Sequence, residues 1–191
     1  MTALEGAALF AIALAAVVVG FVVYATYNDV VALRQRIDKA WANIDVALKQ
    51  RWDELPNLVE AVRDVMAFEQ EVLTDVARLR AAYSPTAPIP SQAATSEATT
   101  SAVRQLFAVV ERYPDLHSQK NVLDLQDEIE RLEGIIADRR ELYNDQVFRY
   151  NTRIAQVPAL YLAGLFGWQP RPFFATEPAD TARPDTTLAV G

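Results

Sequence analysis

Two charged residues stand in slots that the rest of their helices give to apolar side chains. Glu69 lies between Val65 and Val72, and Arg140 lies between Ile136 and Tyr143. A carboxylate or guanidinium persists in an apolar interior only when it is paired and hydrogen-bonded. Two arrangements fit the pattern. Either both groups sit at the edge of their stripes and reach water, or they form a buried pair, with Arg80 as a competing partner, that sets helix register. No positioned base or nucleophile accompanies them, so the pair does not read as catalytic.

Tyr143-Asn144 recurs as Tyr150-Asn151, seven residues later. Two helical turns place the tyrosines on one face and the asparagines beside them. The structural reading is that Tyr packs while Asn cross-links neighbouring segments. The alternative is a polar groove for a partner peptide or small ligand. Arg51, Asp53 and Asn57 gather around Pro56, which is read as a turn at the far tip of the fold. There Asp53 or Asn57 serves as a helix cap, or the tip contacts a partner.

Several chemistries are missing. There is no Cys and a single His, His117, so neither a di-iron bundle site nor a zinc site can be assembled from the usual ligands. Gly134 stands alone in a helical pattern and opens no phosphate loop. No cofactor, metal or enzymatic reaction is expected. A formal net charge of −7 argues against nucleic acid, whose phosphates call for clustered Lys and Arg.

The elements that must carry these residues are helices. A first helix is expected from about Asn28 to Asp53, with Val30, Leu33, Ile37, Trp41, Ile44 and Leu48 on its buried face. Trp41 belongs to that core stripe. A second helix is expected from about Pro56 to Tyr83 on a 4-3-4-3 stripe. Residues 84–101, rich in Pro and small polar residues, read as a flexible linker. A short helix then covers about Ala102 to Arg112, and the longest runs from about Leu116 to Val157. The apolar stretch after Pro158 is too short and broken to span a bilayer; it packs on the bundle, covers a partner or lies on a membrane surface. Residues 175–191 read as a disordered tail.

Ahead of all this, the 23 residues from Gly6 to Asn28 carry no charge. A run of roughly 20 apolar residues is what a helix needs to cross the hydrocarbon core. It lacks a basic n-region and exceeds a typical signal h-region, so it is read as an uncut anchor, residues 1–28. Arg34, Arg36 and Lys39 follow it and no Lys or Arg precedes it, which favours a short N-terminus outside and the bundle in the cytoplasm.

One set of motifs resembles a known family. It comprises Ala40-Trp41-Ala42-Asn43-Ile44-Asp45, Leu55-Pro56-Asn57-Leu58, Tyr113-Pro114-x-Leu116 and the doubled Tyr-Asn leading to Pro158. These are similar to the LemA family of bacterial membrane proteins, over about Tyr27 to Phe174. Glu54 and Phe68 depart from its pattern. The resemblance implies a single N-terminal transmembrane helix, a helical bundle, and no established reaction. The expectation is an all-α, single-pass protein of the bacterial cell membrane: an N-terminal transmembrane helix continuing into an up-down bundle of three or four helices over 29–174. The function expected is a non-enzymatic scaffold that self-associates or contacts another membrane protein. The alternative is a sensor whose bundle binds a ligand or peptide.

Overall fold

The structure is a computed structural model that describes residues 3–63, 70–117 and 119–175. Among the described residues six helices follow in order: α1 (Ala3–Arg63), α2 (Gln70–Ala82), α3 (Ile89–Val110), α4 (Pro114–His117), α5 (Lys120–Ala155) and α6 (Ala159–Phe166). No strand occurs among the described residues. The all-α expectation holds.

α1 is one unbroken helix of 61 residues. It begins in the uncharged run, where none of the apolar window is buried against the rest of the chain. It continues as a buried stripe of Val30, Leu33, Ile37, Ile44, Leu48, Arg51, Leu55, Leu58 and Val62. The turn expected at Pro56 is absent, because the helix passes through that residue. An interior proline costs roughly 3 kcal/mol. Leu55, Leu58 and Val62 are fully buried, and each such side chain contributes about 1.5–3 kcal/mol, so packing outweighs the lost hydrogen bond. α1 ends at Arg63 instead, and the next described helix, α2, begins at Gln70.

The linker expected at 84–101 is also corrected. After a turn at residues 84–88, α3 covers 89–110, with prolines at its start, where a missing N–H is harmless. Gln92, Ser96, Thr99, Val103, Leu106 and Val110 are buried along one face, which is the 4-3 spacing of a packed helix.

α5 runs antiparallel to α1. Three links step up one helix while stepping down the other: Asp29 with Arg153, the Asn43 carbonyl with Arg139, and Arg51 with Glu133. α2 returns along α1, with the Tyr83 hydroxyl donating to Asp45 Oδ1 at 3.3 Å and the Trp52 and Tyr83 rings 5.3 Å apart. α3 lies antiparallel to α5 through Glu97–Arg140 and Thr100–Glu133. The far half of the molecule is therefore an up-down-up-down four-helix bundle. In the half next to the uncharged run α1 and α5 continue without α2 and α3; α6 packs against both at the end, and the segment after α6 packs along their groove.

Candidate functional site

Far half first. Arg51, expected at an exposed tip, is completely buried. Its guanidinium bridges three helices. Nη1 donates to Glu133 Oε1 at 2.8 Å and to Thr100 Oγ1 at 3.1 Å, and Nη2 donates to Ser96 Oγ at 3.1 Å. The Thr100 hydroxyl in turn donates to Glu133 Oε2 at 2.7 Å. Arg51 Nε finds no partner, and the guanidinium carbon lies 5.7 Å from the Trp52 ring centroid. A lone buried charge would cost several kcal/mol, and this network is what makes Arg51 tolerable. Above it, between α3 and α5, opens a cavity of about 330 Å³ whose walls include Glu97, Arg104, Glu133 and Arg140.

Glu133, Ser96 and Thr100 were not singled out by sequence. A signal existed. The spacing 44-48-51-55-58-62 runs without interruption through Pro56, with Arg51 as its one polar slot. The matching slots of α3 hold small hydroxyl residues where an apolar stripe would hold Val or Leu. The two irregularities are halves of one feature.

The charged slots read from sequence behave differently. Arg140 is exposed, pairing with Glu97 at 3.5 Å with both side chains near half exposure (46% and 52%). For Arg140 the edge arrangement holds. Glu69 lies outside the described residues. Arg80 is exposed and, with Leu55, Pro56 and Val76, lines a small surface cavity. Asp53 and Asn57 are exposed on continuous helix, and Asn57 donates to Glu54 Oε2 at 3.0 Å one turn away. They cap nothing, because no helix begins or ends there. The side chain of His117 lies outside the described residues, and no group of three or more potential metal ligands occurs among those that are described.

Near half next. Tyr143 and Tyr150 are buried. Asn144 and Asn151 each hold the backbone of the segment after α6 in a two-bond clamp. Asn144 Oδ1 accepts from the Phe174 N–H at 2.8 Å while its Nδ2 donates to the Phe174 carbonyl at 3.2 Å. Asn151 does the same to Arg171, at 2.8 Å and 2.9 Å. The Tyr143 hydroxyl donates to the Pro172 carbonyl at 3.0 Å between the two clamps. The spacing is matched: seven helical residues rise about 10.5 Å, and three extended residues cover about 9–10 Å. Pro170 and Pro172 bring no N–H, which leaves fewer donors to satisfy. Trp41, half-buried, packs against the Tyr143 and Phe174 rings, each 5.7 Å away.

Burial pushes the Tyr143 hydroxyl up to about 12; nearby Arg171 opposes that shift and Asp38 adds to it. Tyr83 is likewise pushed up to about 12, first by burial and then by Asp45. Both phenols are neutral donors at ordinary pH. The Tyr-Asn repeat thus holds an extended peptide, and that peptide is the chain's own.

An uncharged, uncovered helical run that passes without a break into an all-helical bundle defines a membrane-associated helical protein. The LemA family model matches residues 40–187, and the chain belongs to the LemA family. It is similar to magnetosome proteins MamQ 2 and MamQ 1 of Paramagnetospirillum magneticum, 36% identical to each over 78 residues. It is also similar to magnetosome protein MamQ of Magnetospirillum gryphiswaldense, 32% identical over 78 residues. Each match covers 41% of this chain but only 29% of the relative, so the shared part spans under a third of those proteins.

Proposed function

We propose that this protein is a single-pass, membrane-anchored scaffold of the bacterial envelope, without enzymatic activity, that presents its bundle to a second copy or to another membrane protein. One observation carries the reading. A single helix leads from the exposed apolar run into the buried stripe, so the bundle is tied directly to whatever holds that run. Apolar side chains such as Phe10, Ile12, Val17 and Phe21 stand exposed along it, as lipid-facing residues do. On this reading residues 1–28 are the anchor, 29–174 the bundle and 175–191 a tail.

Crosslinking in intact bacterial membranes tests the proposal. Capture of a second copy or a membrane protein is the expected result; a strictly monomeric species without a partner overturns it. The bundle is assigned to the cytoplasm from the basic residues Arg34, Arg36 and Lys39. A single cysteine at exposed Ser101 should then react with an impermeant maleimide only after the cells are permeabilised.

A second reading, a sensor of a small polar ligand, draws support from the cavity between α3 and α5, where Arg104 and Arg140 face Glu97 and Glu133. On that reading the site is this cavity and not the Tyr-Asn repeat, which is occupied by residues 171–174.

A further inference from the structure

α6 is built the wrong way round for a helix surrounded by water. Its inward residues are small or middling: Ala159 is buried, and Leu162 and Ala163 are half-buried. Its outward residues are large. Tyr161 is 77% exposed, Leu165 76% and Leu160 50%. Within the helix, 160, 161, 164 and 165 share one face by helical spacing, and Val157, in the turn before it, is exposed as well. No charged residue occurs between Arg153 and Arg171. A monomeric soluble bundle rarely leaves such a contiguous apolar face open.

Its place in the fold says what covers it. α5 returns along α1 as far as the Arg153–Asp29 ion pair, and α6 follows directly. The Phe166 ring lies 5.1 Å from Tyr27 in an edge contact, and Trp168 lies 5.2 Å from Phe166 and 6.2 Å from Tyr27. Tyr27 sits at the end of the uncharged run, one turn after Val23 and two residues before Asp29. The exposed face of α6 is thus continuous with the exposed face of the run. Charge begins on one side of it only, toward the bundle, at Asp29, Arg153 and Arg171. Tyr27 and Phe166 stay partly exposed where α6 meets α1, exposed Tyr24 lies about one turn back along α1, and amphipathic tyrosine rings favour the boundary between acyl chains and headgroups. Eight residues rise only about 12 Å, too little to cross a bilayer.

The geometry points to α6 as a second lipid contact: its outward face enters the headgroup–acyl boundary of the leaflet from which α1 emerges. This inference rests on the anchor reading above, and it commits to lipid over a second copy because the face adjoins the surface that the anchor reading places in lipid. Two attachments on one bundle, α1 and α6, would fix its tilt on the membrane.

The chain has no cysteine, so single-cysteine variants of the full-length protein are clean reporters. Val19→Cys, Leu165→Cys and Val46→Cys would each carry an NBD fluorophore in phosphatidylcholine vesicles containing nitroxide-labelled lipids. Position 46 is an exposed apolar control on the bundle. The expected result is several-fold stronger quenching at 165 than at 46 by nitroxides near the acyl carbonyl, with 19 quenched best by deep nitroxides. If 19 is quenched and 165 matches 46, the α6 inference fails and the anchor stands. If 19 is not quenched, the anchor reading falls and takes this inference with it. A blue-shifted emission at 165 without quenching, growing with protein density in the vesicle, identifies a second copy as the occupant and also overturns it.

Discussion

The two halves of the bundle seal the same α1–α5 pair in different ways. In the far half two helices, α2 and α3, complete a four-helix core, and the polar element inside it is an ion network centred on Arg51 and Glu133. In the near half an extended segment takes the place of two helices, and the polar elements are neutral amides on a peptide backbone. The difference is in what failure would do. Removing one member of a buried ion pair strands a charge, whereas removing an amide clamp releases a segment whose backbone can turn back to water. The far half should be brittle and the near half able to open locally.

The largest expected effect tests the far half. Glu133→Ala leaves Arg51 buried without its counter-charge, and detergent-solubilised protein should lose about 3 kcal/mol in denaturant unfolding; Glu133 is 22% exposed on its side chain, which keeps the figure at the low end for buried pairs. The double variant Arg51→Met/Glu133→Leu should recover most of that loss, since well-packed apolar replacements are often neutral. A loss under about 0.5 kcal/mol for the single variant would show that the network is not sustaining the core.

Next comes the near half. Asn144→Ala/Asn151→Ala removes four hydrogen bonds, each worth about 0.5–1.5 kcal/mol net. Faster amide exchange confined to residues 168–174 is the expected outcome, with exchange in α3 unchanged. Exchange that rises equally in both halves would mean that the two halves open together.

The tyrosines sharpen it by pH. Tyr143 and Tyr83 hold their protons up to about 12 when folded, against about 10 when unfolded. Between those values the unfolded chain has released protons that the folded chain keeps, so stability falls as pH rises from about 10 to about 12 and is unaffected below that window. For fully buried Tyr143 the loss is on the order of 2 kcal/mol. Tyr143→Phe should flatten part of that slope and cost about 1 kcal/mol at neutral pH through the Pro172 carbonyl it leaves unpaired.

The smallest effect belongs to Arg140→Ala. The Glu97–Arg140 pair is about half exposed, and its loss should move unfolding by less than about 0.5 kcal/mol. A larger value would mean that Arg140 also supports the polar cavity wall.

The near half was the more legible in sequence. The seven-residue Tyr-Asn repeat announces two equivalent amides on one helix face, and only their occupant, the chain's own residues 171–174, had to come from the structure. The far half hid itself in two ways. Pro56 suggested a break that fully buried Leu55 and Leu58 override. Residues 89–101 carry Gln92, Ser96 and Thr99 in core slots, so a packed helix took on the composition of a linker. Ser96 is polar because it accepts from a buried guanidinium, Gln92 because it holds the Pro85 and Ala87 carbonyls of the turn before α3, and Thr99 bonds back to the Thr95 carbonyl of its own helix; the first two reasons are visible only once the chain is folded. Arg140 drew attention as an intruder in a stripe, yet the buried arginine is Arg51, whose stripe seemed to end at a proline.

The unbroken course of α1 makes it a lever arm. From Asn28 to Leu55 it extends about 40 Å, with its base, on the anchor reading, embedded in lipid. Hydrophobic stretches answer a change in bilayer thickness by leaning. A lean of about 10° at the base would carry the Leu55 end sideways by roughly 7 Å, so a small adjustment among lipids becomes a displacement that a neighbouring protein could register.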